Sequence, residues 1–395
     1  MIDRLIAKSC TGCLACVQAC PKKVIRMGKD GEGFYVPQIE KSQCLHCNLC
    51  ERTCPQLTPV AQHTCLAAYA ARCLDDLLLS RSASGGLFAA LARHTLSGGG
   101  VVFGARMDAE GIVQTVGIAR EADLPPLQGS KYVQSYTGTA YREAAAALHA
   151  GKRVLFSGTP CQIAGLYGYL GQDDPNLITM DIVCHGVPSQ DLYTKYRAWL
   201  EKQKGRPLVG WDFRCKERDN WGMNEKLTFT GRKQYIRSSL NPYTRAFMLG
   251  YTYRESCYRC RYACDKRVSD MTVGDYWGIE KVHPAFYSPK GVSLLLVNTP
   301  KGKSIMDTLS ASVALLPSRL RDMQKLNGNL VQPTNRPPQR EEIYHHLYQL
   351  SMDEFVRRDL KVPFLPKERL LQWLPAKARR NGKRLFAALK RDQRQ

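Results

Sequence analysis

The sequence contains no hydrophobic run long enough to cross a membrane. A spanning helix needs about 18 or more nearly unbroken apolar residues, and no stretch of the 395 residues approaches this length. The N-terminus also leaves no room for the apolar segment of a signal peptide, because Asp3, Arg4 and Lys8 precede Cys10. We therefore expect a cytoplasmic protein.

Acidic residues are scarce relative to basic ones. The sequence has 35 Asp and Glu against 57 Lys and Arg, which gives a net charge of +22, and 13 of the basic residues fall in 357–395. Such charge attracts nucleic acids, anionic membrane surfaces or acidic proteins, and a solvated basic tail explains it equally well. Because no nucleic-acid-binding motif accompanies the charge, we do not expect a nucleic-acid partner. Peripheral membrane contact through the basic C-terminus stays an alternative.

The 16 cysteines require an explanation other than disulfides, which the cytoplasm disfavours. Eight of them form the pattern C-x2-C-x2-C-x3-C-P twice: Cys10, Cys13, Cys16 and Cys20 before Pro21, then Cys44, Cys47, Cys50 and Cys54 before Pro55. This is the run of bacterial two-cluster ferredoxins, in which the fourth cysteine of each run binds the other cluster. The first 4Fe–4S cluster therefore takes Cys10, Cys13, Cys16 and Cys54, and the second takes Cys20, Cys44, Cys47 and Cys50.

Zinc is the alternative for such cysteines, but zinc sites typically use two separated C-x2-4-C pairs. Three cysteines at two-residue spacing followed by C-P do not fit that plan. Between the runs, residues 24–27 and 34–37 flank Gly31 and Gly33 and predict a short β-hairpin. Residues 1–60 are thus predicted to form a ferredoxin-like module.

The rest of the chain alternates helix and strand patterns. A linker, 56–64, leads to predicted helices at 87–92 and 141–150 and to predicted strands at 101–105, 152–157 and 177–183. This order predicts an α+β or mixed α/β fold. The sequence Ser84-Gly85-Gly86 precedes the first of these helices, where backbone N–H groups could cradle a phosphate. A helix cap with tight packing explains the same residues equally well.

Four further cysteines stand where a third metal site could form. Cys161 and Cys184 follow predicted strands, and Cys257 and Cys260 make a C-x2-C pair. These four could bind a third 4Fe–4S cluster, a zinc ion, or nothing, since free cysteines are commonly buried; Cys264 could replace one ligand. Cys65, Cys73 and Cys215 have no partner pattern and are expected to be structural.

Several motifs together make the chain resemble the coenzyme F420 hydrogenase/dehydrogenase beta subunit family over about residues 1–300, the ferredoxin module included. The matching segments are Ser82–Phe88, Gly99–Gly104, Gly129–Gln134, Ser157–Gln162, Asp181–Gly186, Cys257–Cys260 and Gly274–Gly278. The corresponding domains are predicted at 65–145 for the N-terminal part of the family unit and 150–310 for its C-terminal part. Residues 311–395 are predicted to be a helical, basic extension.

The resemblance implies an FAD-binding α/β domain that carries a cluster. It favours the third cluster at Cys161, Cys184, Cys257 and Cys260, and it makes Ser84, Gly85, Gly86, Gly129, Ser130, Lys131 and Tyr132 the candidate cofactor-binding residues. Lys131 is also the candidate catalytic residue, because a cation near the flavin ring would stabilise its anionic reduced form. Without the resemblance, Lys131 would be an ordinary surface lysine. His185 and Asp275 are weaker candidates.

The expected function is an iron–sulfur flavoprotein oxidoreductase. It would pass electrons between 4Fe–4S clusters and a two-electron carrier, which the resemblance suggests is coenzyme F420 or another organic substrate. The alternative is an electron-transfer subunit that serves a separate catalytic protein. Either function implies a redox protein partner, such as a ferredoxin or a catalytic subunit, and the first adds a small-molecule electron carrier.

Overall fold

The computed structural model describes Ile2, residues 9–364 and residues 366–373. The most basic part of the predicted C-terminal extension, residues 374–395, lies outside the described residues, as do most of those that precede Ser9. Among the described helices, none is both long and apolar enough to span a lipid bilayer. The chain forms two modules of unequal size, a small cysteine-rich one and a larger α/β body.

The cysteine-rich module repeats one backbone turn. Gly12 and Leu14 of the first run have positive φ angles of 68° and 66°, and the equivalent His46 and Asn48 of the second run have 51° and 58°. Each turn leads into a short helix at the same place, α1 (Ala15–Ala19) or α2 (Leu49–Arg52). Three non-glycine residues in this costly conformation indicate that the sulfur spacing dictates the backbone.

The predicted hairpin of this module is confirmed. Strand β1 (Ile25–Lys29) pairs antiparallel with β2 (Tyr35–Ile39), with Met27 opposite Pro37. The hairpin is short because Asp30 and Gly33 close it with a tight turn, in which the Gly33 N–H donates to the Asp30 carbonyl.

An eight-stranded mixed sheet forms the centre of the body. Its spatial order is β13-β3-β12-β11-β7-β6-β4-β5, and β11, β7, β6 and β4 run parallel at its middle while the flanking strands pair antiparallel. The strands are β3 (Ala67–Cys73), β4 (Val101–Met107), β5 (Val113–Ile118), β6 (Val154–Gly158), β7 (Leu177–Ile182), β11 (Met271–Asp275), β12 (Ser293–Val297) and β13 (Val313–Ser318). The apolar runs at β6, β7 and β12 are buried, as expected for central strands.

Helices cover the sheet and enclose a second core beside it. They are α3 (Asp76–Arg81), α4 (Leu87–Ser97), α5 (Ala140–His149), α6 (Pro160–Leu170), α7 (Gln190–Lys204), α8 (Pro242–Met248), α9 (Ile279–Val282), α10 (Pro300–Thr308), α11 (Leu320–Gln324), α12 (Arg340–Gln349), α13 (Met352–Arg358) and α14 (Pro366–Trp373). The second core is rich in aromatic residues. It joins α7, α8, α12 and α13 to a three-stranded antiparallel sheet of β8 (Leu208–Asp212), β9 (Asn224–Phe229) and β10 (Arg232–Arg237).

The prediction of a helical extension from residue 311 needs correction at its start. Residues Val313–Ser318 form β13, which pairs with β3 along the edge of the main sheet. Val313 is buried and its neighbours are partly exposed, as in an edge strand. Pro317 is tolerated there because an edge strand has a side without a partner, so the N–H that proline lacks is not needed for pairing. Helices follow only from Leu320.

The small module packs against the body at helix α6. A Cβ on Gly168 would collide with the carbonyl oxygen of Thr53, and one on Gly165 would lie 3.1 Å from the Cys13 sulfur. The two glycines lie on the α6 face that meets the module, since they are three residues apart. Because glycine has no side chain, these two positions let the modules approach closely enough to place Cys13 against α6.

We expect Gly168→Ala to destabilise this packing although alanine favours helices. The added Cβ meets backbone at Thr53, which cannot rotate away, so overpacking should cost about 1–3 kcal/mol and outweigh the helix-propensity gain of about 1 kcal/mol. Thermal unfolding of the anaerobic protein measures the loss. Gly31→Ala is the matched control, because its Cβ would have nothing within 4 Å. Equal melting temperatures for the two variants would contradict the packing argument.

Candidate functional site

One large cavity opens at the carboxyl ends of the parallel strands. It has a volume of about 740 Å³ and is lined by residues from both modules. Cys161 follows β6, Cys184 follows β7, and Asp275 is the last residue of β11. The carboxyl ends of adjacent parallel strands lie at one edge of a sheet, where α/β proteins commonly bind ligands, so this sequence order brings the three side chains to one place.

The four thiols predicted for a third cluster meet in this cavity. Burial raises the pKa of Cys184 well above its usual range, and repulsion from Cys257, Cys161 and Cys260 adds to it. Burial also raises the pKa of Cys161 to about 11 and that of Cys257 to about 12. Four half-buried thiols that would repel one another as thiolates are a donor set whose charge a cationic iron core offsets, so these residues fit a cluster.

The eight N-terminal thiols separate into the two predicted sets. Burial raises the pKa values of Cys13, Cys16 and Cys54, and the neighbours that raise them further include Cys10. We call these four thiols the inner set, since all are buried. The other four line a small separate pocket: Cys20, Cys44, Cys47 and Cys50. We call them the outer set, since Cys47 is exposed.

Sulfur atoms of the three sets follow one another through the protein. Cys50 of the outer set is among the groups that raise the pKa of Cys16. Cys13 is affected in the same way by Cys161 of the cavity, which precedes Gly165 by one turn of α6. The sets therefore lie in the order outer, inner, cavity.

Arg254 fixes the junction between the inner set and the cavity. Its buried guanidinium donates from Nε to the Cys10 carbonyl at 2.5 Å and from Nη1 to the Tyr35 carbonyl at 2.9 Å. Its own carbonyl accepts from the Cys257 N–H at 2.9 Å. One residue thus links a loop of the small module to a loop of the cavity. No sequence motif marks it, because its partners are distant along the chain.

Of the three residues predicted to contact a phosphate, Ser84 and Gly86 line the cavity at the start of α4. Gly86 has a φ of 80°, which suits glycine at this cap. Gly85 is placed differently: its N–H donates to Ser293 Oγ at 2.9 Å, and a Cβ there would lie 2.5 Å from the Ser293 nitrogen. Close packing on the sheet therefore explains Gly85, while the first turn of α4 still offers unpaired N–H donors.

The segment Gly129–Tyr132 forms another wall of the cavity. Lys131 is half-buried there, and its Nζ donates to the carbonyls of Pro126, Gln128 and Gly129 at 2.9, 2.8 and 3.3 Å. An ammonium has three donors, so the loop uses all of them. Tyr132 stacks on Phe247 with ring centroids 4.5 Å apart. Sequence reasoning identified Lys131 but not its engagement with its own loop.

A buried ion pair stands across the cavity. Arg214 donates to both carboxylate oxygens of Asp275 at 2.7 and 2.9 Å, and Trp221 Nε1 donates to the same carboxylate at 2.7 Å. Burial opposes ionisation of Asp275, but Arg214 holds the pKa of this carboxyl below its usual range. Trp277 stacks on Trp221, and Arg214 lies 5.3 Å from the Trp277 ring. Arg214 and Trp221 were not predicted, since neither belongs to a recognised motif.

His185 also lines the cavity. Burial lowers the pKa of its imidazole; the nearby Asp275 carboxylate opposes this shift and the Arg214 guanidinium adds to it. The neutral ring is thus a hydrogen-bonding group beside Cys184. Lys216 lies nearby and donates to the carbonyls of Leu79 and Ser84 at 2.9 and 2.6 Å. Burial lowers the pKa of Lys216 to about 7, with Asp275 opposing the shift.

The remaining cysteines lie outside this arrangement. Cys264 contacts Gln62 and the carbonyls of Arg261 and Lys266 and is not among the cavity-lining residues. The Cys65 thiol donates to the Ala67 carbonyl at 3.2 Å. Cys215 lies with Asp212 and Glu217 in a group of three potential metal ligands. Lys226 pairs with both of those carboxylates and offsets part of their charge.

We expect Lys131 to react as an amine near neutral pH. Burial lowers its pKa to about 7, although Asp212 opposes the shift, whereas an ordinary lysine titrates near 10.4. Competitive acetylation with acetic anhydride between about pH 6 and 10, read by peptide mass spectrometry, measures the midpoint. Exposed Lys202 in the same digest supplies the reference curve. A Lys131 curve that coincides with that of Lys202 would contradict the desolvated environment.

Comparisons with known proteins agree with the two-module structure. Residues 151–318 match the family described as the C terminus of the coenzyme F420 hydrogenase/dehydrogenase beta subunit, and residues 9–57 match the 4Fe-4S dicluster domain. No curated protein sequence matches the chain. A solved structure described as a xenon derivative of the F420-reducing nickel–iron hydrogenase complex from Methanosarcina barkeri contains a similar chain, at 18% identity and a TM-score of 0.47, over 68% of this chain and 89% of that one. The two family models therefore agree with the resemblance drawn from the motifs, and the chain joins a segment that matches the 4Fe-4S dicluster domain to one that matches the C terminus of the coenzyme F420 hydrogenase/dehydrogenase beta subunit.

Proposed function

We propose that the protein is an FAD-dependent iron–sulfur oxidoreductase that holds FAD and a third 4Fe–4S cluster in the shared cavity. The observation that carries this proposal is the convergence of four thiols, a helix N-terminus and aromatic walls on one space. Its volume of about 740 Å³ lies within the range of about 300–1,000 Å³ that is usual for ligand sites. Apolar walls with a few polar groups are typical of cofactor sites.

FAD bound here would exchange a hydride with an organic substrate and exchange the same two electrons, one at a time, with the clusters. Electrons balance because a hydride carries two electrons, each cluster accepts one, and two successive single transfers complete the exchange. The substrate is a two-electron carrier, and coenzyme F420 is the first candidate because the matched family is named for it. When the carrier accepts a hydride instead of donating one, the electrons flow in the opposite direction, from the clusters to the carrier.

The chain's own residues bind and orient the cofactor in this proposal. The first turn of α4 provides backbone N–H donors for a phosphate, and the positive φ of Gly86 forms the turn that presents them. Phosphate binding at a helix N-terminus is favoured by unpaired N–H groups and by the helix dipole. The Gly129–Tyr132 segment forms an adjoining wall, with Gly129 and Ser130 exposing backbone and Tyr132 offering a stacked ring.

Lys131 contributes charge rather than a direct donor in this arrangement. Its three carbonyl partners occupy the ammonium donors. A cation held beside the cavity stabilises negative charge that develops on a reduced cofactor. Arg214 is neutralised by Asp275, which leaves Lys131 as the source of such a field; because its pKa is lowered to about 7, this field is present at lower pH and weakens as the pH rises through that value.

Metal and flavin analysis of the anaerobically purified chain tests the proposal. We expect one extractable FAD and about twelve irons, four for each of three clusters. Cys257→Ser combined with Cys260→Ser should remove about four irons and stop electron transfer from FAD to the N-terminal clusters, with FAD still bound. Cys65→Ser is the matched control and should keep all the iron. Unchanged iron in the double variant would show that the four thiols bind no cluster.

The cradle at α4 is tested by a pair of glycine substitutions. Gly86→Ala and Gly99→Ala both place alanine at a positive φ, 80° and 74°, and both cost about 1–2 kcal/mol of backbone strain. Only Gly86 lines the cavity, and its added Cβ would lie 3.0 Å from the Cys73 Cβ and shift the turn that presents α4, whereas a Cβ at Gly99 has nothing within 4 Å. We therefore expect FAD affinity to fall about tenfold, or 1.4 kcal/mol, in Gly86→Ala alone. Flavin fluorescence titration of the flavin-free protein measures it, and equal affinities would contradict a cradle at this turn.

Iron–sulfur electron transfer without an organic substrate is the second candidate. The path of three thiol sets supports it as well as it supports the enzyme. Steady reduction of a small-molecule carrier by the chemically reduced protein alone would favour the enzyme. Absence of any such turnover, with electron transfer to a protein partner intact, would favour the function as an electron-transfer subunit.

A further inference from the structure

The outer set stands at the surface of the small module, unlike the inner set. Cys47 is exposed and Cys44 half-buried, whereas Cys10, Cys13 and Cys16 are buried. Because the transfer of single electrons slows steeply with distance, a protein partner must contact the chain close to a cluster. Among the described residues of the three thiol sets, those around Cys47 give the shortest approach from solvent.

An exposed apolar residue marks the same place. Leu45 is 60% exposed between Cys44 and Cys47, and both it and His46 line the pocket of the outer set. A single exposed leucine is ordinary on a protein surface. This one lies within the cluster-binding loop, so a partner that packs on Leu45 is brought within two residues of two cluster ligands.

Several exposed basic residues flank the cysteines of the outer set in the sequence, and Lys22 lines its pocket. Lys22 and Lys23 follow Cys20, and Arg52 follows Cys50 by two residues, and all three are exposed. Arg26 is exposed as well and helps to lower the pKa of Glu40, though the largest cause is a hydrogen bond from Ser42. The nearby acidic residues, Glu40 and Glu51, are fewer than these cations. The surface around the outer set is therefore basic with an apolar tip.

We propose that this surface, made of Leu45, His46 and Cys47 with Lys22, Lys23, Arg26 and Arg52, docks an acidic one-electron carrier protein of the ferredoxin type. Opposite charge steers partners and speeds association, as a transient redox encounter requires. Small, weak interfaces are usual for such encounters. An exposed leucine together with several exposed basic residues suits an interface of this kind. A nucleic acid would find little stacking platform here, since no exposed Phe, Tyr or Trp belongs to the surface.

Each encounter transfers one electron and makes or breaks no bond. The carrier's metal centre loses an electron and the outer cluster gains it, or the reverse. Two encounters match one hydride at the cavity in the proposed function. The docking proposal itself rests only on the clusters of the dicluster domain, so it can fail or succeed independently of FAD.

Stopped-flow reduction of the clusters by a chemically reduced, acidic plant-type ferredoxin tests the docking surface. We expect the second-order rate of the unaltered protein to fall steeply between about 50 and 500 mM salt. Lys22→Glu combined with Lys23→Glu should lower the low-salt rate about tenfold or more and remove most of its salt dependence. Lys202→Glu combined with Lys204→Glu, on exposed residues of α7, is the matched control and should leave the rate within about twofold of the unaltered protein.

Two measurements keep the result free of folding effects. These are the iron content and the rate of reduction by dithionite, and both should be equal in all variants. Leu45→Ala should slow the reaction with ferredoxin without changing the salt dependence of its rate. An equal loss in the α7 control, or no reaction of the unaltered protein with the ferredoxin while dithionite reduces it, would overturn the proposal. Sedimentation with phosphatidylserine vesicles that needs Lys22 and Lys23, with unaltered electron transfer, would assign the surface to lipid and overturn it too.

Discussion

The close packing of the small module on helix α6 is the constraint on which the rest of the site depends. Gly165 and Gly168 leave room for Cys13 and for the Thr53 backbone, and α6 itself carries Cys161 in its first turn. Bulk at either glycine would separate the two modules, so this one contact sets the distance between the inner set and the cavity. Arg254 ties the same junction from the other side through the Cys10 carbonyl.

The charged groups of the cavity are closely paired, whereas its thiols have weaker partners. Arg214, Asp275 and Trp221 satisfy one another by hydrogen bonds, so this wall carries little net charge. The four cavity thiols have raised pKa values, and the Cys161 sulfur lies 3.2 Å from the Thr159 hydroxyl. This contrast directs metal chemistry to the thiols and leaves the ion pair to shape the opposite wall.

The sequence was informative where chemistry is local and uninformative where it is not. The two cysteine runs each fit within one loop, so spacing alone predicted both N-terminal sets, and the apolar runs of β6 and β7 predicted strands and, with them, the position of Cys161 and Cys184. Contacts between distant single residues left no pattern. Arg214 lies 61 residues from Asp275, and Arg254 lies 244 from Cys10. Strand β13 was predicted as helix because its edge pairing with β3 is a long-range property, and the carbonyl partners of Lys131 depend on how its loop folds.

The repeated turn of the cysteine runs bears on how the two N-terminal sets are oxidised in air. The backbone at Gly12 and Leu14 recurs at His46 and Asn48, so both N-terminal sets have the same local geometry and differ mainly in surroundings. Oxidation of sulfur follows accessibility. Oxygen and peroxides therefore reach the loop at Cys47 first, while α6 shields Cys13. Damage would begin at the solvent edge and progress inward, which makes the outer set an early indicator of oxidative inactivation and the inner set the more durable of the two.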